Sequence, residues 1–311
     1  MHRVVSLIPS STEIVDALAM REALVGRSHE CDFPAGVEAL PALTAPKFDP
    51  HGTSAEIDTR VKHLLRDALS VYRVDEDLLR ELNPDVIITQ AQCEVCAVSL
   101  PDVEEAVCNA LGDDARVVAL EPNTLADVAA DFQRVADALG IPERGQALCE
   151  AFNSRLDAVR DRTAGLASRP TVAAIEWPDP QMAAGNWVPE LVTIAGGRNL
   201  FGQAGEHSPW LAWEDVVAAD PDVIIMMPCG YDLPTTQRES GVVARLPGYS
   251  DLKAVRTGRV YAVDGNQYFN RPGPRLAESA EILAEILHGL DYGHQGTGWQ
   301  AFTQGTAAET P

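Results

Sequence analysis

Cys93 and Cys96 stand three apart in "QAQCEVCAVS" (90–99), directly after the apolar run "DVIIT" (85–89). A Cys-x-x-Cys pair can hold a metal, exchange electrons or line a pocket. Thiolates suit zinc, iron–sulfur clusters and Cu(I). His29-x-Cys31 in "SHECDFP" (28–34) could complete a Cys₃His tetrahedron for zinc or iron from His29, Cys31, Cys93 and Cys96. Against that, zinc knuckles keep their cysteines on a tight glycine turn, and "CEVCAV" has none. A redox dithiol needs its first cysteine opening a helix, where the dipole lowers its pKa. Here the next helix is expected near Pro101, beyond Cys96. Three readings therefore stay open: packing or pocket lining, a metal or cobalt contact, and dithiol redox.

These residues need a scaffold. Short apolar runs alternate with helical patterns, the signature of βα units and parallel sheets. "RVVSLI" (3–8), "ALVGRS" (23–28), "DVIIT" and "RVVAL" (116–120) form a first set of strands. Ser10-x-x-Glu13 fits a capping box opening the helix after the first of them. A second set echoes the first. "NPDVIITQAQC" (83–93) returns as "DPDVIIMMPCG" (220–230), and "ARVVALEP" (115–122) as "GRVYAVDG" (258–265), which predicts two related αβ lobes. Between them apolar residues recur at helical spacing over 124–168. Gly140 ends one helix, and Pro142 suits the first turn of the next, running to Ala164. The expected domains are an N-terminal lobe (1–123), connecting helices (124–168), a C-terminal lobe (169–292) and a flexible Gly- and Thr-rich tail (293–311).

In open α/β sheets, ligands bind beyond the carboxyl ends of the strands. In the first lobe those loops carry Ser10, Ser11, His29, Cys31, Gln90, Cys93 and Cys96. In the second they carry Glu176, Trp177, Trp187 and Cys229, then Tyr231, Tyr268, Asn270 and Arg271, with Trp210 from a loop before a helix. Aromatic rings with a few polar groups suit a large planar ligand in a cleft between lobes. His29, Cys31, Cys93 and Cys96 are expected within a few ångströms of one another on the first-lobe wall. Cys108 and Cys149 fall in helical patterns and read as small buried hydrophobes, while His51, His63, His2 and His294 read as surface residues.

The chain has 311 residues, 46% of them hydrophobic, ample for two cores. A net charge of −22 with no basic run argues against nucleic-acid binding. No apolar run approaches the ~20 residues of a membrane span. "MHRVVSLIPSSTEIV" has no signal-peptide pattern, so a cytoplasmic protein with thiols rather than disulfides is expected.

The set "RVVSLIPSSTEIVDAL", "NPDVII", the long bridging helix, "GNWVPELVTIAGGRNLF" (185–201), "WEDVVAADPDVII" (213–225) and "GRVYAVDG" resembles the class III substrate-binding proteins of ABC transporters. "VVSLIPSSTEIV" looks most like the vitamin B12 (cobalamin)-binding branch. The resemblance covers residues 3–290. It implies two αβ lobes with parallel sheets joined by a single long helix. It also implies a corrinoid or similar large cofactor or metal chelate bound in the cleft. Partner contact with an ABC permease is implied through Asp77 and Glu214, each seven residues before the proline of its repeat. The simpler reading, that both are first-turn acids favoured by the helix dipole, stands against it. The alternative function is a metal-dependent hydrolase or lyase on the same scaffold, with Glu176 as general base. No nucleophile elbow, phosphate loop or HExxH motif is present.

Overall fold

The structure is a computed structural model that describes residues 2–66, 72–91, 99–112 and 115–303. Cys93 and Cys96 lie outside the described residues. The chain divides into two compact units: Met1–Gly52 with Glu56–Phe152, and Thr53–Ala55 with Asn153–Pro311.

The first unit contains β1 (Val4–Ser6), α1 (Pro9–Ala17), β2 (Leu24–Arg27), β3 (Thr44–Pro46), α2 (Ser54–Arg66), β4 (Tyr72–Val74), α3 (Glu76–Leu82), β5 (Val86–Gln90), α4 (Leu100–Leu111), β6 (Arg116–Leu120) and α5 (Leu125–Ala138). Its main sheet runs β2-β1-β5-β6 with every pair parallel, and β3 pairs with β4 antiparallel. Parallel strands covered on both faces tend to be continuously apolar, which is why Val86, Ile87 and Ile88 of β5 form a run rather than an alternation, before the buried polar Thr89 and Gln90 that end it. One face packs Val5, Leu7 and Ile87 against Leu79, Val103 and Val107 of α3 and α4.

Helix α6 (Pro142–Ala164) has 23 residues and carries the chain from the first unit into the second. It starts and stops at the residues predicted. The proline ring of Pro142 fixes φ near the value a first turn needs, and Gly140 before it takes φ +71°, ending α5 in the left-handed conformation glycine tolerates. Thr124 and Asp127 form the capping box that opens α5.

The second unit contains β7 (Thr171–Pro178), β8 (Gln181–Ala183), α7 (Val188–Ile194), β9 (Arg198–Asn199), α8 (Trp213–Ala219), β10 (Val223–Met226), α9 (Leu233–Glu239), α10 (Lys253–Arg256), β11 (Val260–Val263), α11 (Leu276–His288) and β12 (Trp299–Ala301). The sheet order is β12-β11-β10-β7-β8, with β11, β10 and β7 parallel, β8 and β12 antiparallel to their neighbours, and β9 beside β7.

The sequence echo is a structural repeat. Helices α3 and α8 each have seven residues and end on a left-handed residue, Asn83 and Asp220, both at φ 41°. Each of those residues donates its N–H to the carbonyl of a fully buried helix residue, Leu79 at 3.0 Å and Val216 at 3.1 Å. Asn and Asp visit this conformation more readily than other non-glycine residues, and the proline that follows prevents the helix from continuing.

Three expectations need correction. The Ser10–Glu13 capping box does not form: α1 starts at Pro9 with Ile8 as an extended N-cap, and Ser10 lies inside the helix. Proline drives the residue before it out of the helical region, so the boundary falls there. The tail is folded as far as Thr303: β12 adds antiparallel to β11, and Trp299 is 9% exposed, with its Nε1 donating to Glu285. Cys108 is exposed, not buried, whereas Cys149 is half-buried with its thiol donating to the Ala129 carbonyl at 3.0 Å.

Candidate ligand-binding edges of the two sheets

At the carboxyl edge of the first sheet, β1 runs straight into α1. The buried hydroxyls of this turn form a chain: Ser6 and Ser11 Oγ are 2.6 Å apart, and Thr12 Oγ1 donates to Ser6 Oγ at 2.7 Å. Cys31 joins it, its Sγ 3.1 Å from Thr12 Oγ1, and is 1% exposed. Ser11 also donates to the Ile8 carbonyl at 3.0 Å. These contacts fix the β1–α1 turn, so Ser11 and Cys31 hold the scaffold. Ser10 is buried in the same turn with its Oγ unpartnered, and Gln90 is buried at the end of β5.

His29 is half-buried and tied to Thr44, whose Oγ1 lies 2.7 Å from Nδ1 and accepts the His29 N–H at 3.0 Å. Thr44 gives its own proton to Ser28 Oγ at 3.0 Å. Nδ1 must then be the donor, which leaves Nε2 as the ring's acceptor nitrogen. Burial, then the nearby Arg27 charge, lowers the His29 pKa, favouring that neutral ring. His29 and Cys31 thus bond to different partners, Thr44 and Thr12. The other two members of the expected four-residue cluster, Cys93 and Cys96, lie outside the described residues. Among the described residues, no group of three or more His, Cys, Asp or Glu side chains is arranged to hold a metal.

The second sheet's carboxyl edge is more aromatic. Trp177 near the end of β7 and Tyr231 in the loop after β10 bring their rings to 5.3 Å between centroids, tilted by 43°. The Cys229 N–H donates to the Glu176 carbonyl at 3.3 Å, holding that loop against β7. Glu176 Oε2 accepts from Ser208 at 2.7 Å, and Ser208 Oγ itself accepts the Gly185 N–H at 3.0 Å. That fixed carboxylate has a structural task, which does not favour its use as a general base.

After β11, Asp264 opens a single π-helical turn, Gly265–Phe269, by accepting the Gln267 N–H at 2.7 Å. Burial raises the Asp264 pKa, in part offset by that hydrogen bond. Gly265 is required here, because a Cβ would lie 2.2 Å from the Pro228 carbonyl oxygen. The close approach lets the Asn266 N–H reach the Tyr231 carbonyl at 3.1 Å. Arg271 donates to Asn266 Oδ1 and Arg275 to Gln267 Oε1, both at 3.0 Å, and both arginines are buried. Asn270 donates to the Met227 and Gly265 carbonyls at 3.0 Å, bracing the turn. Tyr268 stacks near Arg275, whose guanidinium is 5.6 Å from the ring centroid.

Of the other tryptophans, Trp187 is buried with Nε1 donating to the Phe269 carbonyl at 2.9 Å, a peg under the site. Trp210 bridges to Met182 and is 57% exposed. Sequence reasoning missed Thr12, Thr44, Ser208, Asn266 and Arg275. Their roles come from contacts across the fold, and only the hydroxyl-rich "PSST" gave a local signal. Asp77 and Glu214 are both exposed in first turns; Asp77 pairs with Arg80 at 2.7 Å.

Residues 4–266 match the sequence profile of the family described as periplasmic binding protein. The chain belongs to this family. It is similar to the vitamin B12-binding protein of Vibrio cholerae serotype O1, with 25% identity over 289 residues, 92% of this chain and 89% of that protein. It also resembles an uncharacterized ABC transporter substrate-binding lipoprotein of Bacillus subtilis, 21% identical over 294 residues, 92% of this chain and 80% of that protein. Among solved structures, the periplasmic heme-binding protein of Roseiflexus sp. RS-1 in apo form superposes with a TM-score of 0.67 at 25% identity, covering 92% of this chain and 97% of that one. The class III architecture expected from the sequence is thus the family's own. None of the helices among the described residues is long and apolar enough to cross a membrane.

Proposed function

We propose that the chain is a binding protein for a tetrapyrrole-sized macrocycle, a corrinoid before a haem. The loops at the carboxyl edge of its second sheet supply the contacts. The observation that carries this reading is the second-sheet wall, where the Trp177–Tyr231 ring pair is linked through Asn266 to the buried Arg271. Rings give area at low entropic cost, and a guanidinium suits the polar rim of such a ligand. Relatives named as vitamin B12- and heme-binding proteins support the size class. Trp210 and Tyr268 extend the wall.

The cytoplasmic expectation finds no support in a family of this description, and we place the protein's work outside the cytoplasmic membrane. It would deliver its cargo to an ABC permease through Asp77 and Glu214. Zinc or iron bound by His29, Cys31, Cys93 and Cys96 has no support from the described residues, and neither does the hydrolase or lyase reading. Titration of the purified chain with cyanocobalamin and with haemin, followed by visible absorbance and tryptophan quenching, tests the reading. Saturable one-to-one binding of cyanocobalamin is expected. Binding of haemin alone would keep the size class and reject the corrinoid, and binding of neither would reject both.

A further inference from the structure

Two buried polar atoms on the second-sheet wall have no partner in the protein. Trp177 Nε1 and Tyr231 Oη are each shielded from solvent and make no hydrogen bond. Tyr231 is 8% exposed, so its hydroxyl has neither water nor protein to pair with. Leaving a buried donor unpaired costs about 1–3 kcal/mol, and native folds rarely tolerate it without a use. Here two such groups occur together, on adjacent strands' carboxyl edges, with rings 5.3 Å apart. The buried tryptophans of this unit, Trp187, Trp213 and Trp299, all use their indole N–H, on the Phe269 carbonyl, the Pro247 carbonyl and Glu285. Unpartnered buried atoms occur elsewhere in this unit too, Ser240 Oγ and Tyr292 Oη among them; what this pair adds is two such donors on rings in contact with each other at the sheet's carboxyl edge.

We propose that Trp177 Nε1–H and Tyr231 Oη–H form a two-donor subsite that takes carbonyl oxygens of a bound ligand's amide side groups. The inference rests on the macrocycle-binding reading and assigns these residues to the ligand's periphery. Both groups are neutral donors. Burial, and next the negative charge of Glu239, push the Tyr231 phenol up to about 12, so it keeps its proton across the physiological range. Asp232 caps the helix that begins just after Tyr231, and Glu239 ends it. Glu239 is paired with Arg238 at 2.8 Å, so no net charge selects the acceptor, and two neutral donors match an uncharged amide oxygen. A phenol and an indole also present flat faces beside their donors, so the same pair can pack a ring edge and bond the group that hangs from it.

Tyr231→Phe removes one donor and keeps the ring. In the free protein this change should leave the melting temperature unchanged or raise it, because an unpaired buried hydroxyl is lost. It should weaken cyanocobalamin binding about 3- to 10-fold, the worth of one neutral hydrogen bond. The ¹⁵N-indole resonance of Trp177, assigned with Trp177→Phe, should move downfield on saturation with cyanocobalamin. The proposal is overturned if Tyr231→Phe lowers the melting temperature by several degrees, which would mean the phenol is bonded within the fold. It is overturned equally if the variant binds cyanocobalamin as tightly as the parent, if the indole resonance does not move, or if only haemin binding weakens. If the parent protein binds neither macrocycle, the functional reading fails first. The melting temperature then decides the donor pair: a fall rejects it, and an unchanged or raised value supports donors held free for an outside acceptor.

Discussion

Asp85 and Asp222 occupy the same place in the two repeats and do the same work. Each carboxylate accepts the backbone N–H of the residue that leads into the neighbouring strand, Arg3 at 2.7 Å and Thr171 at 2.8 Å, and so sets the β1–β5 and β7–β10 registers. Asp222 gains more: its hydrogen bond to Lys253, then those to Thr171, hold its pKa at about 2. Its pKa is depressed below 3.8, so the stability it supplies is present above pH 3.8 and lost as pH falls towards 2. Asp222→Asn should cost on the order of 1–2 kcal/mol at pH 7, measured by urea unfolding, and the penalty should fade below pH 4. His29 has the opposite chemistry. Its pKa is lowered from 6.5 by burial, so folding favours the neutral ring, and its contribution is full above pH 6.5 and lost as pH falls below it. An NMR titration should place its midpoint below 6.5; a midpoint above that would mean the ring is paired with an acid. The repeat itself was legible, since "NPDVII" and "DPDVII" differ by one residue. The tasks of Thr44 and Ser208 were not, because each depends on a partner at least fifteen residues away in sequence.

Elements whose signal lies within one segment were the most legible. The α5 and α6 boundaries follow from Gly140 and Pro142, and the strands from their apolar runs. Residues 293–303 were misread because their composition is that of a linker, and what folds them is remote. Glu285 on α11 accepts the Tyr292 N–H at 2.7 Å and the His294 N–H at 3.1 Å, as well as Trp299 Nε1. Glu281, one turn earlier, accepts from His294 Nε2 at 2.9 Å and pairs with Arg155 of α6. Trp299→Ala would remove the buried indole and leave a buried carboxylate short of a donor. We expect a loss of about 3 kcal/mol, or roughly 6–12 °C in the melting temperature of a unit this size. The hydrogen bond that His294 donates to Glu281 raises the His294 pKa above 6.5, so this clasp contributes fully below pH 6.5 and weakens as pH rises through the raised value. His294→Gln should therefore destabilise the protein more at pH 5.5 than at pH 8.5; equal losses at both would remove the imidazolium from the account.

For the whole molecule, the question is how a chain of net charge −22 finds one partner surface. Diffuse negative charge steers it towards any basic face, but specific docking needs acids at fixed places, and the proposed docking assigns one on each unit. Asp77 and Glu214 sit at equivalent first-turn positions of α3 and α8, where the helix dipole tolerates a carboxylate without an internal partner. The two are not equivalent in charge. Asp77 is engaged by Arg80, 2.7 Å away and itself exposed, whereas Glu214 has no ion pair among the described residues. Under the proposed docking, an incoming arginine would have to displace Arg80 at the first position and would meet an uncompensated carboxylate at the second. An exposed pair of this kind is worth only ~0.2–1 kcal/mol, so in the proposed docking Asp77 would be weakened, not disabled. Glu214→Lys should therefore reduce ligand uptake through the cognate ABC permease more than Asp77→Lys does. The double reversal should abolish uptake, because two weak contacts on one rigid partner reinforce each other. Cyanocobalamin affinity should stay within twofold in all three variants, since neither acid lies on the carboxyl edges. Equal uptake in all of them would leave both residues as ordinary helix-dipole acids. A loss in ligand affinity would instead place them in the binding site, contrary to their position at the amino ends of helices that lead into β5 and β10.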